Sequence, residues 1–168
     1  MDETAHLSAS LEDYLEAIYQ IVNKRQAVRA KDIAAELGVK APSVTGALRM
    51  LAEKSLINYA PYDIITLTDE GNRLARDVVK RHSTLHHFLK DILGLDEQEA
   101  QDGACKLEHA ISPAVLERLI SFIDFTQQCP RVGTQWIQEF KTFCQRGTMG
   151  ADCEDCIKDC LTKVTPRQ

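Results

Sequence analysis

The chain has 168 residues, 44% of them hydrophobic and 27% charged, with a formal net charge of −5. That length can bury one ordinary core or two small ones without staples. No run of about 18 apolar residues is present to span a bilayer, the acidic start Met1-Asp2-Glu3 is unlike a basic secretory leader, and the negative balance argues against indiscriminate nucleic-acid binding. A cytoplasmic protein is expected, in which six cysteines point to metal or redox chemistry rather than to disulfides. The charge is uneven. Between Lys24 and Lys54 stand seven basic residues (Lys24, Arg25, Arg29, Lys31, Lys40, Arg49, Lys54) against three acidic ones (Asp32, Glu36, Glu53).

Ser10 precedes Leu11, Leu15, Ile18 and Val22 at helical spacing, with Asp13 in the place of a capping-box acid, so a helix is predicted from there to about Lys24. Asp13 and Glu16 fall roughly opposite its apolar stripe, where carboxylates are ordinarily solvated. A shorter helix with Ile33, Ala34 and Leu37 stops at Gly38. Three residues later Pro42 sits where the first position of another helix belongs, and Val44, Ala47, Leu48 and Leu51 continue it. Two helices joined by a tight glycine-containing turn read as a helix-turn-helix. The β-rich runs Ile57-Asn58-Tyr59 and Ile64-Ile65-Thr66-Leu67, around Ala60-Pro61-Tyr62-Asp63, read as a hairpin wing.

Helix, helix-turn-helix and hairpin in this order make a winged helix. Its second paired helix, about Pro42 to Lys54, is expected in the major groove of double-stranded DNA. Lys40, Pro42, Ser43, Thr45 and Arg49 are the candidate contacts, the short polar side chains toward bases and the cations toward phosphates.

From Thr68, an N-cap candidate, a long helix is predicted through Leu74, Val78, Leu85, Leu89 and Ile92 to Gly94, carrying His82, His86 and His87. His82, at the edge of the apolar stripe, reads as a packed histidine or as a ligand. Asp96-x-x-Glu99 opens the next helix. There Cys105, Glu108 and His109 at i, i+3 and i+4 share one face, with Ala100, Ala104, Leu107, Ala110 and Ile111 roughly opposite. The face carries three metal-ligand chemistries, or is a solvated surface. Ser112-Pro113 starts a further helix through Leu116, Leu119, Ile120 and Ile123. Helices after a winged helix suit a dimerisation surface, since reading two half-sites calls for a twofold axis.

After Phe125 the composition changes. A loop over 127–133 leads to a short amphipathic helix with Trp136, Ile137, Phe140 and Phe143. The tail then reads Cys144-x8-Cys153-x2-Cys156-x3-Cys160, with Cys129 as a fifth thiol. Such spacing suits tetrahedral Zn²⁺ or an Fe–S cluster, and does not choose between these and reduced thiols.

Several of these stretches together resemble the diphtheria-toxin-repressor family of metal-dependent transcription regulators, over about Ser8 to Phe125. They are Leu11-Glu12-Asp13-Tyr14-Leu15-Glu16-Ala17-Ile18-Tyr19, Pro42-Ser43-Val44-Thr45, Ile65-Thr66-Leu67-Thr68, Arg81-His82 and Cys105-x-x-Glu108-His109-x-x-Ser112. The resemblance implies a principal metal site of Asp13, His82, Cys105, Glu108 and His109, with Glu16 joining as in manganese-type members, that ties the first helix to the dimerisation helices. The chain departs from both branches of the family. Iron-type members have Cys at the position of Cys105 but a thioether at that of Asp13; manganese-type members share Asp13 and Glu16 but have a carboxylate in place of Cys105. Oxygen donors suit Mn²⁺, while thiolate and imidazole move the preference toward Fe²⁺ and later metals. His82 and His86 fall in the region of the family's second site, but Gln101 replaces a ligating imidazole there.

The expected fold is mainly α: an N-terminal winged helix-turn-helix (1–70), an all-helical metal-binding and dimerisation domain (71–126) and a Cys-rich tail (127–168). The expected function is a homodimeric repressor, not an enzyme, that binds a palindromic operator when Fe²⁺ or Mn²⁺ is bound and so controls metal uptake. The alternative keeps the DNA binding and makes the Cys144, Cys153, Cys156 and Cys160 cluster the redox or iron sensor. A metal hydrolase lacks support, because no His-Glu-x-x-His, nucleophile elbow or Gly-rich phosphate loop is present.

Overall fold

The computed structural model describes residues 7–24, 28–60, 64–128 and 133–146. Cys129, Cys153, Cys156, Cys160 and, of the predicted hairpin tip at 60–63, residues 61–63 lie outside them. The chain is mainly helical and divides into two units, Met1–His82 and Ser83–Gln168, with the division falling inside a helix.

The first unit contains α1 (Ala9–Lys24), α2 (Ala30–Leu37), α3 (Ala41–Glu53), β1 (Ile57–Asn58), β2 (Thr66–Leu67) and most of α4 (Asp69–His87). Helix α1 begins earlier than predicted. The amides of Leu11 and Glu12 donate to the Ser8 carbonyl at 2.9 and 3.0 Å, so Ser8 rather than Ser10 starts the helix and Ser10 lies inside it. At the end of α2, Gly38 takes φ 64° and its amide returns to the Ala34 carbonyl. This is the left-handed stop that glycine adopts without a Cβ clash. Lys40 is the N-cap of α3, which puts Pro42 at the second helical position, one later than expected, where its missing N–H is equally harmless.

Leu15, Ile18, Val28, Ile33, Val44, Leu48, Leu51 and Ile65 are almost wholly buried in one core cluster. Each contributes about 1.5–3 kcal/mol of transfer free energy, which holds α1, α2, α3 and the wing as a winged helix. The wing is antiparallel, pairing Ile57 with Leu67 and Asn58 with Thr66, and a bridge between Val28 and Ile65 adds the chain before α2. Thr68 links wing to helix. Its hydroxyl accepts from the Gly71 amide at 3.1 Å, capping α4, and lies 2.8 Å from the Ser55 carbonyl as a donor.

In the second unit α4 does not run on as a regular helix to Gly94. It passes into a π-helical turn, Phe88–Ile92, closed by the Leu93 amide on the Phe88 carbonyl at 3.0 Å, and Gly94 ends it at φ 78°. The slipped register still leaves Leu85, Leu89 and Ile92 buried, so hydropathy spacing does not betray it. Helices α5 (Glu97–Leu107), α6 (Pro113–Gln128) and α7 (Gly133–Arg146) follow. Asp96 caps α5 by accepting from the Glu99 amide at 2.8 Å, and Ser112 opens α6 with its carbonyl 3.0 Å from the Leu116 amide. The core joins Leu85 and Leu89 to Ala100 and Ala104, small residues that let α5 approach closely. Phe88 meets Phe122 edge to face at 6.2 Å. No described helix is long and apolar enough to cross a membrane.

Candidate metal centre and nucleic-acid interface

The candidate ligands fall on both units. In the first, Asp13 and Glu16 lie one turn apart on α1, and His82 ends that unit's share of α4. Asp13 and His82 are half-buried. Glu16, expected on a solvated face, is 9% exposed and accepts from the Gln20 amide group at 2.9 Å. The helix buries more than its aliphatic stripe, because Tyr14, Ala17 and Glu16 widen the covered arc.

In the second unit Cys105 is on α5 and exposed. Glu108 and His109, expected from their spacing to lie in that helix with Cys105, lie instead in the turn that ends it. Glu108 is the C-cap, with its amide on the Ala104 carbonyl at 3.0 Å and helical φ and ψ of −59° and −31°. The backbone therefore still presents Cys105 and Glu108 at helical spacing. Glu108 is 1% exposed, and its Oε1 lies 3.3 Å from Nε2 of His109. Of the residues assigned to the core side, Leu107 is 44% exposed and Ala110 is exposed too, so the packed side consists of Ala100 and Ala104 with Ile111 half-buried against them. Carboxylates are rarely buried unless a cation or hydrogen-bond donors compensate them. Glu16 in the first unit and Glu108 in the second are each such a group, and within the second unit Glu108, the His109 imidazole and the Cys105 thiol are donor types that a divalent transition metal takes.

Gln101 is exposed and His86 half-buried. Nε2 of His86 lies 3.1 Å from Glu97 Oε1, and Lys90 also reaches Glu97. These contacts hold the Glu97 carboxyl below its ordinary range, chiefly through the Lys90 hydrogen bond, and raise Lys90. Cys144, near the end of α7, is exposed and carries a free thiol; the other tail cysteines are outside the described residues.

On α3, Lys40, Pro42, Ser43 and Arg49 are exposed and Thr45 half-buried, with the Thr45 hydroxyl donating to the Ala41 carbonyl at 3.2 Å. Val44, Ala47, Leu48 and Leu51 hold the opposite face in the core. Sequence reasoning gave no role to Glu12 and Arg81, which join α1 to α4 within the first unit through a 2.7 Å ion pair. The signal was available in position alone, since each stands next to a candidate ligand.

Two family models match: the iron-dependent repressor N-terminal DNA-binding domain over residues 6–64, and the iron-dependent repressor metal-binding and dimerisation domain over residues 68–137. The chain is 40% identical over 119 residues to an uncharacterised HTH-type transcriptional regulator of Methanocaldococcus jannaschii, covering 70% of this chain and 95% of that protein. It is 32% identical to the HTH-type transcriptional regulator MntR of Bacillus pumilus, covering 71% and 82%. Among solved structures, a manganese-dependent transcriptional repressor complexed with manganese is similar at 34% identity and a TM-score of 0.63, covering 72% of this chain and 56% of that longer one. The chain belongs to the iron-dependent repressor family of metal-dependent transcriptional regulators, the group of non-enzymes that includes the diphtheria-toxin repressor and MntR.

Proposed function

We propose that the protein is a cytoplasmic, homodimeric repressor that binds a pseudo-palindromic operator when Fe²⁺ or Mn²⁺ is plentiful and thereby shuts off metal-uptake genes. The observation that carries the reading is the burial of Glu16 and Glu108, 9% and 1% exposed, in a chain that matches both a DNA-binding and a metal-binding family domain. Asp13, Glu16, His82, Cys105, Glu108 and His109 would hold the ion, which supplies the positive charge that lets three carboxylates share one site. His82, Cys105, Glu108 and His109 all lie within the segment matched by the metal-binding model. Lys40, Pro42, Ser43, Thr45 and Arg49 would meet DNA. Dimerisation is assigned to the second unit, where Val115, Phe122 and Phe125 of α6 stay 57%, 42% and 56% exposed, an apolar set of the kind that partner subunits cover.

Occupancy favours the DNA-competent arrangement of the two reading helices by population shift. A metal at 100 times its dissociation constant, binding that state alone, supplies about 2.7 kcal/mol per site. The test is fluorescence anisotropy on the protein's own upstream DNA, titrated anaerobically with Fe²⁺ and Mn²⁺ and reversed by chelator. Wild type is expected to bind reversibly, and Glu108→Ala to stay folded without metal-dependent binding. Chelator-sensitive binding by the variant defeats the site assignment.

The Cys144-x8-Cys153-x2-Cys156-x3-Cys160 spacing supports a second reading, a thiolate-bound Zn²⁺ or Fe–S centre in the tail that senses iron or redox state. Metal analysis of protein truncated before Cys144 separates the two. Loss of metal-responsive DNA binding in the truncated protein favours the tail as sensor.

A further inference from the structure

Gly46 stands in the middle of α3, where glycine costs about 0.5–1 kcal/mol relative to alanine. Two features of a folded chain normally justify that cost, and neither operates here. Among the described glycines only Gly38 and Gly94 have positive φ, so Gly46 needs no conformation closed to other residues. A Cβ built on Gly46 meets nothing within 4 Å, whereas one on Gly71 would stand 1.9 Å from a backbone oxygen and one on Gly103 2.9 Å from a leucine methyl. Nothing inside the described fold makes use of the missing side chain.

Its direction is informative. At about 100° per residue, the centre of the buried arc of Val44, Ala47, Leu48 and Leu51 lies opposite a line through Pro42, Gly46, Arg49 and Glu53, and all four of these are exposed. Gly46 is therefore a gap in the middle of the outward line. Pro42 stands about 6 Å before it along the axis and Arg49 about 4.5 Å after it. A helix with its side chains, about 10–12 Å across, nearly fills a major groove about 12 Å wide. One side chain on the line that faces the groove floor thus sets how deep the helix sits.

We propose that Gly46 is the close-approach position of the DNA interface: its bare backbone lies against base-pair edges, letting α3 enter deeply enough for Pro42 and Arg49 to reach their contacts. The inference rests on the reading that α3 occupies the major groove. Its ligand is the base-edge surface of duplex DNA, and its role is positioning and specificity.

The test uses the full chain with Mn²⁺ and a duplex selected from a random-sequence pool by the wild-type protein. Gly46→Ala should unfold at the same or a higher temperature, as helix propensity requires, while its affinity for the selected duplex falls by about ten-fold or more. Gly46→Leu should bind more weakly still at undiminished stability. Binding of unrelated duplex at low salt, governed by phosphate contacts, should change less. Wild-type affinity in Gly46→Ala overturns the inference, and so does a parallel loss of stability and affinity, which would make the glycine structural. Failure of the wild type to enrich any sequence overturns the groove reading instead.

Discussion

Arg81 of α4 and Glu12 of α1 form an ion pair of 2.7 Å, Nη2 to Oε1, across 69 residues of sequence. Their side chains are only 22% and 17% exposed, so solvent screens the pair less than it does a surface one. Each partner precedes a candidate ligand, Glu12 before Asp13 and Arg81 before His82. The pair thus joins α1 to α4 within the first unit, beside those two candidate ligands. Glu12→Gln should destabilise the protein to urea by about 1.5–3 kcal/mol, and Arg81→Met by a similar amount. The double variant should cost less than the sum of the two, because it leaves no uncompensated charge behind. Strict additivity would show that the two side chains do not act as a pair.

Gly71 is the opposite case to Gly46. A Cβ there would lie 1.9 Å from the Leu56 carbonyl oxygen and 2.8 Å from its carbon, and that oxygen already accepts the Thr68 amide at 3.0 Å. Backbone has no rotamer by which to yield. Gly71→Ala must push the first turn of α4 off the wing and loosen the Thr68 cap, with an expected cost of about 3 kcal/mol. Thermal unfolding of Gly71→Ala beside Gly46→Ala checks this, with the first variant melting well below the second. Equal melting temperatures would mean that α4 can tilt away without loss.

The pattern of turns and caps was legible because each rests on one residue's own chemistry. Gly38 stops α2, Thr68 caps α4, Asp96 caps α5 and Ser112-Pro113 opens α6. The stripe of Leu15, Ile18, Val44, Leu48 and Leu51 likewise followed from helical spacing. What sequence did not display depends on three-dimensional competition. Ser8 and Ser10 have the same capping chemistry, and it is the Ser8 carbonyl that receives the Leu11 and Glu12 amides. The π-helical turn moves hydrogen bonds without moving Leu89 or Ile92 out of the core. Glu16 and Glu108 look solvent-facing to any rule that treats charge as exposed, yet both are buried. That failure marks candidate ligands, as expected where function overrides a local rule.

The links between the end of α4 and α5 should depend on pH. Glu97 lies below its ordinary pKa of 4.5 through the Lys90 hydrogen bond first, then attraction to Lys90 and His86, against an opposing effect of burial. A carboxyl lowered in the folded state contributes stability that is present above the unfolded value and is lost as pH falls through the folded one. The melting temperature of wild type should therefore exceed that of Glu97→Gln at about pH 6, and the gap should close as pH falls below the ordinary carboxyl value and through the lower folded one. Because Glu97 is on the surface, about 1 M salt should also shrink the difference. A gap that persists in acid would assign the effect to packing rather than to charge.

Cys105 is where the chain's metal preference should be adjustable. The side chain is exposed, on a helix whose buried positions are Ala100 and Ala104, so a longer residue enters without disturbing the core. A thiolate favours Fe²⁺ and later metals, whereas a carboxylate presents the hard oxygen that suits Mn²⁺. Cys105→Glu should retain metal-activated DNA binding while shifting the ratio of half-activating concentrations toward Mn²⁺ by about ten-fold, equivalent to about 1.4 kcal/mol in relative affinity. Cys105→Ala, which offers no donor, should weaken activation by both ions. Anaerobic titration of operator binding with each metal separates these outcomes. An unchanged ratio in Cys105→Glu would count against the proposed role of the Cys105 thiolate as a ligand.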